Sequence, residues 1–210
     1  MRTNPVQKLH NEHVNMRRVI GIISNQIALI ERQGEPDFVL LANALYYMRK
    51  FPSSVHHPKE DLVFSALLAA GAPLRAEVET LRQQHQEIYA LEDQLMEIVL
   101  KAQAGNAQAR MRLVELGKRY LHIQALHVQT EEQVLFPQAL RLLKQKDWVA
   151  LRAASDRIED PLSGSKVAER YRYLYEYLLR EAAVEGSPLP GSHQTPSSSS
   201  ATISPSRYSR

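Results

Sequence analysis

Apolar residues recur along most of this chain at alternating spacings of three and four positions, which is the period of an amphipathic α-helix. The first such stripe contains Leu9, His13, Met16, Ile20, Ile23, Ile27 and Ile30. Asn4 is placed to cap this helix, Pro5 to open it and Gly34 to end it. No alternation of apolar and polar residues bounded by turns indicates a strand. The pattern therefore predicts an all-α protein.

Three further stripes follow, over residues 41–67, 74–98 and 113–144, and short turn-forming sequences separate them. Pro52 and Pro58 lie inside the second stripe. A bend or a local 3₁₀ turn is expected there, because proline lacks the amide hydrogen that a regular helix uses. Four long helices with tight connections are typical of an antiparallel up-down-up-down four-helix bundle. This bundle domain is predicted to span residues 1–145.

The chain beyond the bundle carries shorter helical patterns and then changes in composition. A helical pattern reaches about Glu159, a turn is predicted at 160–164, and a tyrosine-rich helix is predicted over about 165–184. Residues 146–186 are expected to form a helical extension packed on the bundle; the alternative for its last helix is contact with a second copy or a protein partner. Residues 187–210 are rich in serine and proline and are predicted to be a disordered tail.

Composition excludes several kinds of chemistry and argues against several partners. The 210 residues contain no cysteine, so disulfides, thiolate metal sites and iron–sulfur ligation are excluded. Of the 26 basic residues, Arg207 and Arg210 lie in the tail, which has no acid, so the preceding chain has 24 basic against 23 acidic residues. This near-neutral body gives no electrostatic reason to expect nucleic acid binding. No apolar run has the length of a membrane span or a signal peptide, so a cytoplasmic location without membrane contact is expected.

Single histidines occupy positions on the four core stripes, and two of them are followed four residues later by a glutamate. The residues concerned are His13, His56 with Glu60, His85, and His127 with Glu131. A spacing of four places both members of a pair on one face of a helix. Counted from the connecting loops of an antiparallel bundle, the four histidines lie at one level to within about two residues, or roughly 3 Å.

A single histidine of this kind is more often a hydrogen-bonded core residue than a metal ligand. For the complete set, that interpretation would require too large a free-energy cost of burial. Each unpaired buried carboxylate or imidazole costs several kcal/mol, against about 5–15 kcal/mol for the stability of a whole domain. A cation among them removes this cost, and imidazole with carboxylate suits iron, manganese or zinc. Four imidazoles and two carboxylates exceed one tetrahedral shell, so the set favours two metal ions with the glutamates bridging them.

The same residues carry a resemblance to a known family. Their order, with the flanking sequences HHPKEDLVF (56–64) and HVQTEEQVLFP (127–137), resembles the hemerythrin-like, or HHE cation-binding, family. The sequences DW (147–148) and DPLSG (160–164) resemble an extension of its bacterial members, so the resemblance covers about residues 6–180. It implies a non-haem centre of two iron ions inside the bundle, joined by an oxo or hydroxo bridge and by carboxylates.

One position departs from the oxygen-carrying hemerythrins. Those have a second histidine one turn after the histidine of the third helix, where this chain has Tyr89. Tyr89 is four residues beyond His85, so its phenol is hypothesised to be an iron ligand or a close hydrogen-bond donor to the centre. The alternative is a tyrosine that packs beside the centre with its hydroxyl hydrogen-bonded.

The other polar residues near these motifs are weaker candidates. His57 is rotated by about 100° from its neighbour His56, so it is expected to point away from the centre or to stand behind a ligand. His13 is preferred over His10, and Glu132 is expected to be exposed or to support an imidazole. Solvated or tail positions are expected for the remaining candidates, which are Arg17, Arg18, His122 and His193.

An iron pair with an open coordination position binds small ligands such as O₂, NO or peroxide. A phenolate ligand would stabilise ferric iron, which disfavours reversible O₂ carriage and favours peroxide or NO chemistry. We therefore interpret the sequence as a di-iron protein that binds, senses or detoxifies one of these molecules, with enzymatic turnover left open. The alternatives are a non-catalytic iron- or oxygen-sensing interaction module and an iron donor in the repair of iron–sulfur centres. The absence of cysteine counts against the second alternative.

Overall fold

The chain folds as an all-α helical bundle, as predicted. The structure, a computed structural model, describes residues 4–156, residue 158 and residues 166–184, and this part of the chain contains no strand. The first five helices are α1 (Pro5–Glu31), α2 (Phe38–Phe51), α3 (His57–Ala69), α4 (Arg75–Gln103) and α5 (Ala107–Thr130). Three helices follow them: α6 (Phe136–Leu142), α7 (Gln145–Ser155) and α8 (Lys166–Val184).

Two of the four bundle helices contain a π-helical turn. Pro52–His56 joins α2 to α3, and Glu131–Leu135 joins α5 to α6, so each pair of helices runs on as one long helix. The 3₁₀ turn that was one of the two forms expected at Pro52 is wrong, because the turn there is wider than an α-helical turn. The alternative of a bend stays a prediction. Proline at the start of this turn lacks an amide hydrogen and its ring crowds a carbonyl of the preceding turn, which favours the wider pattern.

The short connections depend on helix caps and on glycines with left-handed backbone angles. Asn4 Oδ1 accepts a hydrogen bond from the Val6 amide at 2.9 Å, so the predicted cap of α1 is confirmed. Gly71 follows α3 with φ of 81°, and Gly105 follows α4 with φ of 86°. Glycine adopts these angles without steric cost and can end a helix abruptly. The chain therefore reverses direction tightly at both ends of α4.

The bundle buries two apolar clusters, one toward each of its ends. Each of the four long helices, which are α1, α2 with α3, α4, and α5 with α6, contributes residues to both clusters. The cluster around α2 and α5 includes Met16, Val55, Ile88 and Ile123, and the cluster around α3 and α6 includes Leu9, Val63, Leu81 and Leu135. Each of the four long helices therefore crosses a layer between the clusters, and the predicted histidines lie in that layer.

The helices after the bundle pack on its outside. Trp148 of α7 belongs to the apolar cluster around α3 and α6. Tyr175 of α8 packs against Tyr47, with ring centroids 5.7 Å apart, and its hydroxyl donates to Asn15 Oδ1 at 2.9 Å. Arg18, which was expected to be solvated, also reaches the Tyr175 hydroxyl at 3.4 Å. Contact of α8 with a second copy or another protein stays a prediction.

Several predictions fall outside the part of the chain that the structure describes. These are the turn at 160–164, the disordered tail at 187–210 and the position of His193. His122 is exposed, as predicted. None of the described helices combines the length and the apolar character that a membrane crossing requires.

Candidate metal centre

Among the described residues, seven buried polar side chains meet in the layer between the two apolar clusters. They are His13, His56, His57, Glu60, His85, His127 and Glu131, and none is more than 4% exposed. The four long helices bring six of the predicted ligands together at one level, as counting from the loops had indicated. Their role as metal ligands stays a prediction, and His57 is an addition to the set.

Six of the seven side chains form two groups that share Glu60, and Glu131 belongs to neither group. The two-histidine group is His13, His56 and Glu60, and the three-histidine group is His57, Glu60, His85 and His127. Within each group the potential ligand atoms all lie within 4.8 Å of one another. Each group is therefore compact enough for one cation to contact all of its members.

Each buried glutamate faces both groups with different oxygens. Glu60 Oε1 lies 3.3 Å from His13 Nε2, and Glu60 Oε2 lies 3.5 Å from His85 Nε2. Glu131 Oε2 lies 3.3 Å from His13 Nε2, and Glu131 Oε1 lies 3.3 Å from His127 Nε2. Both carboxylates span the two groups, which is the position that a carboxylate takes when it bridges two cations.

Several buried atoms of this centre have no hydrogen-bond partner among the described residues. They are His56 Nε2, His57 Nε2, Glu60 Oε2 and both carboxylate oxygens of Glu131. His56 Nε2 comes within 2.7 Å of Glu60 Oε1, but without hydrogen-bond geometry, as happens when ligands converge on a common ion. Leaving such atoms unsatisfied costs about 1–3 kcal/mol each, and more where they are charged. A pair of metal ions would satisfy all of them, so the residues present fit two cations.

Burial also sets the protonation states that metal binding requires. It lowers the pKa of His127 to about 3, so this imidazole is neutral and has a lone pair to donate. Burial and the nearby charge of Glu60 raise the pKa of Glu131 to about 7. A cation between the two glutamates would remove their repulsion and stabilise both as carboxylates.

The comparison with known protein families agrees with this geometry. The family model described as the hemerythrin HHE cation binding domain matches residues 4–139. The chain belongs to the hemerythrin family. The match includes every member of the two groups and ends within α6, and cation binding is the property that the family's description names. No curated protein matches the chain.

His57 contradicts the expectation that it would point away from the centre of this hemerythrin. Its side chain is buried, and its ring stacks on that of His85 with centroids 3.8 Å apart. The π turn ends at His56, and its hydrogen bonds span five residues instead of four. Adjacent residues are therefore rotated by less than the 100° of an α-helix. His56 and His57 both face inward, so the centre has five histidines where regular helical spacing predicts four.

Tyr89 lies behind His57. Its hydroxyl oxygen is 2.5 Å from His57 Nδ1, which leaves the unpartnered His57 Nε2 as the atom available to a metal ion. Burial raises the pKa of the Tyr89 phenol, which favours the neutral hydroxyl. The contact matches the predicted alternative of a hydrogen-bonded tyrosine beside the centre. Direct ligation of iron by Tyr89 stays a prediction.

Two residues that the sequence patterns did not indicate support imidazoles from behind, and a third residue pairs with one of these two. His56 Nδ1 lies 2.7 Å from Glu12 Oε2, and Lys59 Nζ donates to Glu12 Oε1 at 2.7 Å. His127 Nδ1 lies 3.1 Å from Gln84 Oε1. No spacing rule singles out Glu12, Lys59 or Gln84, since their contacts depend on how neighbouring helices are rotated in the bundle.

Glu132 supports His13, which is one of the two roles predicted for it. Its Oε1 lies 3.0 Å from His13 Nδ1 and also contacts the exposed ring of His10 and the guanidinium of Arg17. Burial alone would raise the pKa of Glu132, but His13 and Arg17 hold it at about 2, so the side chain is ionised. The expectation that Arg17 is simply solvated is wrong, because its guanidinium pairs with this carboxylate.

The two groups of this hemerythrin differ in the charge that stands behind their imidazoles. The carboxylates of Glu12 and Glu132 support the two-histidine group. The neutral side chains of Tyr89 and Gln84 support the three-histidine group, and His85 Nδ1 has no hydrogen-bond partner among the described residues. A carboxylate partner makes an imidazole a more basic ligand. The two groups are therefore chemically unequal as candidate metal ligands, with the stronger donors in the two-histidine group.

Proposed function

We propose that this hemerythrin is a non-haem di-iron protein that binds, senses or detoxifies O₂, peroxide or NO. The observation that carries the proposal is the pair of buried histidine groups spanned by two carboxylates. His13 and His56 would hold one iron; His57, His85 and His127 would hold the other. Glu60 and Glu131 would contribute to both.

The count of donors supports binding of a small exogenous ligand. The two-histidine group offers two nitrogens and the three-histidine group offers three, and Glu60 and Glu131 would each add one oxygen to either position. Neither set completes an octahedral shell, and the two-histidine group leaves more of it open. Iron bound here supplies one-electron redox chemistry and a Lewis-acidic position for a small molecule.

The chain's own side chains would hold the ligands in the required state. Glu12, Glu132, Tyr89 and Gln84 each contact a different imidazole at Nδ1 and so fix the orientation of its ring. The apolar clusters on both sides of the layer keep bulk water away from the centre. The low dielectric constant of this apolar environment would strengthen electrostatic interactions at the metal positions.

Metal content per chain tests the proposal. Protein purified from iron-supplemented cells should contain two irons per chain. Glu60→Gln or Glu131→Gln should lower this to one or none, because the carboxamide keeps one oxygen donor but loses the second oxygen and the negative charge. Glu97→Gln is the matched control. It removes an exposed carboxylate of α4 that pairs with Lys101 at 2.8 Å, and it should keep both irons.

The loaded protein is then exposed separately to O₂, NO and hydrogen peroxide while its visible spectrum and the consumption of peroxide are recorded. A spectral change with at least one of these molecules supports the proposal, and turnover of peroxide or NO would make the protein an enzyme. A folded protein without bound metal would refute the metal centre. One zinc per chain would mean that the ligands are correctly assigned but the redox chemistry is not.

A further inference from the structure

A surface depression leads from solvent to the three-histidine group. It has a volume of about 340 Å³ and opens between α3 and α4. Its lining includes Asp61, Glu79, Arg82, His85, Gln86 and Tyr89. His85 belongs to the metal centre and Tyr89 contacts it through His57, whereas the other four lie at or near the surface. Of the depressions described on this chain, it is the one whose lining reaches the centre.

His85 is the point at which the depression meets the centre. Its side chain is only 5% exposed, and its Nε2 points inward, 3.5 Å from Glu60 Oε2 and 3.1 Å from His127 Nε2. Its Nδ1 has no hydrogen-bond partner in the described part of the chain. The Nδ1 atoms of the other four histidines of the centre are all engaged. The His85 ring therefore has Nε2 inside the centre and an unpaired Nδ1 on the side of the depression.

The rim of the depression carries a negative balance of charge. Asp61 Oδ1 lies 3.3 Å from Arg82 Nε, and both side chains are more than 40% exposed. Glu79 accepts a hydrogen bond from the carboxamide of Gln83 at 3.3 Å. Two carboxylates against one guanidinium attract cations into the cleft. Carboxylate and carboxamide oxygens are also groups that replace water around a hydrated divalent ion.

We propose that this depression is the route by which a hydrated divalent metal ion reaches the centre, with His85 Nδ1 as the first nitrogen that the ion meets. The proposal rests on the proposed metal centre, but it concerns the rate of loading and not the final occupancy. Asp61 and Glu79 accelerate the approach of the cation, and Arg82 slows it. The rim thus controls metal loading without contributing to the final ligand set.

The loading of metal-free, full-length protein with Co²⁺ tests this route, because bound cobalt gives a visible absorption that stopped-flow mixing can follow. At low ionic strength, Asp61→Asn and Glu79→Gln should each slow loading about threefold, and Arg82→Gln should accelerate it by a similar factor. At high salt, the loading rates of all three variants should approach that of the wild type. Gln86→Trp narrows the depression and should slow loading at every salt concentration. The final amount of bound cobalt should be the same in all variants.

The matched control is Glu115→Gln, which removes an exposed carboxylate of α5 that pairs with Arg112 at 2.7 Å. This variant should load at the wild-type rate. Rim variants that also load at the wild-type rate, or acidic and basic rim variants that change the rate in the same direction, would overturn the proposed route. Failure of the wild-type protein to bind cobalt at all would instead refute the metal centre itself. Because the three charge variants are surface substitutions, the test does not depend on the folding of Gln86→Trp.

Discussion

At the scale of single residues, Glu12 shows how a side chain outside the ligand set can tune a ligand. It lies between His56 Nδ1 and the ammonium group of Lys59, 2.7 Å from each. Burial by itself would raise the pKa of Glu12, but the hydrogen bonds and charges of His56 and Lys59 hold it below its ordinary value. Glu12 is therefore ionised, and it makes His56 a more basic ligand than a neutral partner would.

We expect Glu12→Gln to weaken metal binding by about 10- to 100-fold, because the amide keeps an oxygen near His56 but loses the charge. It also leaves Lys59 as an unpaired buried cation, which lowers the free energy of unfolding by about 3–5 kcal/mol. Competition with a chelator measures the affinity, and urea unfolding of the metal-free protein measures the stability. In the double variant Glu12→Gln/Lys59→Met, stability should recover while affinity stays low. Wild-type affinity in Glu12→Gln would show that the carboxylate does not support the ligand.

Tyr89→Phe separates the two roles predicted for this residue, because it keeps the ring and removes the hydroxyl. From the 2.5 Å contact with His57 Nδ1, we expect the visible spectrum of the iron-loaded variant to match the wild type. Metal affinity should fall about tenfold, since His57 loses its partner. Tyr173→Phe, at an exposed tyrosine of α8, is the control and should change neither property. Loss of an intense visible band in Tyr89→Phe would instead establish direct phenolate ligation.

At the scale of elements, the two π turns explain why so many ligands and supports fit into one layer. The turn Pro52–His56 allows His56 and the next residue, His57, to face the centre together. The turn Glu131–Leu135 does the same for Glu131, which spans the two groups, and Glu132, which supports His13. In a regular α-helix, adjacent side chains are 100° apart and only one of each pair would face inward.

The height of a residue along its helix can be predicted from the sequence more securely than its rotation about the helix axis. The height of a residue along a bundle follows from its distance to the nearest loop, because every helical residue rises by about 1.5 Å. The common level of His13 and His85 could therefore be predicted. Rotation accumulates along a helix, and a π turn shifts it without a clear mark in the apolar pattern. For this reason His57 was misplaced, and the contacts of Glu12 and Gln84 could not be predicted.

Deletion of Ser54 tests the role of the first π turn. Ser54 is an exposed residue within Pro52–His56, and removing one residue allows α2 and α3 to join in regular α-helical register. Residues after the turn should keep their face, because the π turn absorbs one extra residue, but His56 and His57 should then lie about 100° apart, so that only one of them faces the centre. We expect fewer than two metal ions per chain, while the far-ultraviolet circular dichroism of the bundle is retained. Ser54→Ala keeps the chain length and should bind two ions. Two ions in the deletion variant would show that the centre does not need the π turn.

At the scale of the whole molecule, the bundle contains a second buried polar site, about two helical turns from His85 along α4. Glu92 is fully buried and accepts a hydrogen bond from the Tyr120 hydroxyl at 3.1 Å, and Gln124 Nε2 donates to the same hydroxyl at 3.1 Å. Burial raises the pKa of Glu92 to about 8, although the charge of Arg49 acts in the opposite direction. The carboxyl group is therefore protonated in the folded protein at neutral pH.

This proton makes the stability of the whole bundle depend on pH. The unfolded chain releases it near the ordinary value of 4.5, whereas the folded protein keeps it up to about pH 8. Between these values the folded state binds more protons than the unfolded state, so the contribution of Glu92 to the free energy of unfolding falls as pH rises. Glu92→Gln keeps the size and the hydrogen-bonding capacity of the protonated acid without its titration. We expect the variant to be more stable than the wild type by roughly 3 kcal/mol at pH 7.

Urea unfolding of both proteins at equal metal content and at a series of pH values measures this difference. The titrations of the metal centre are common to the two proteins and cancel in it. The advantage of Glu92→Gln should be absent below the ordinary pKa of 4.5, grow with pH, and level off above about pH 8. Glu115→Gln, at an exposed position, should follow the wild type throughout. A constant difference across the whole pH range would mean that Glu92 is already ionised in the folded bundle, and that a cation or water must then stabilise it inside the apolar cluster.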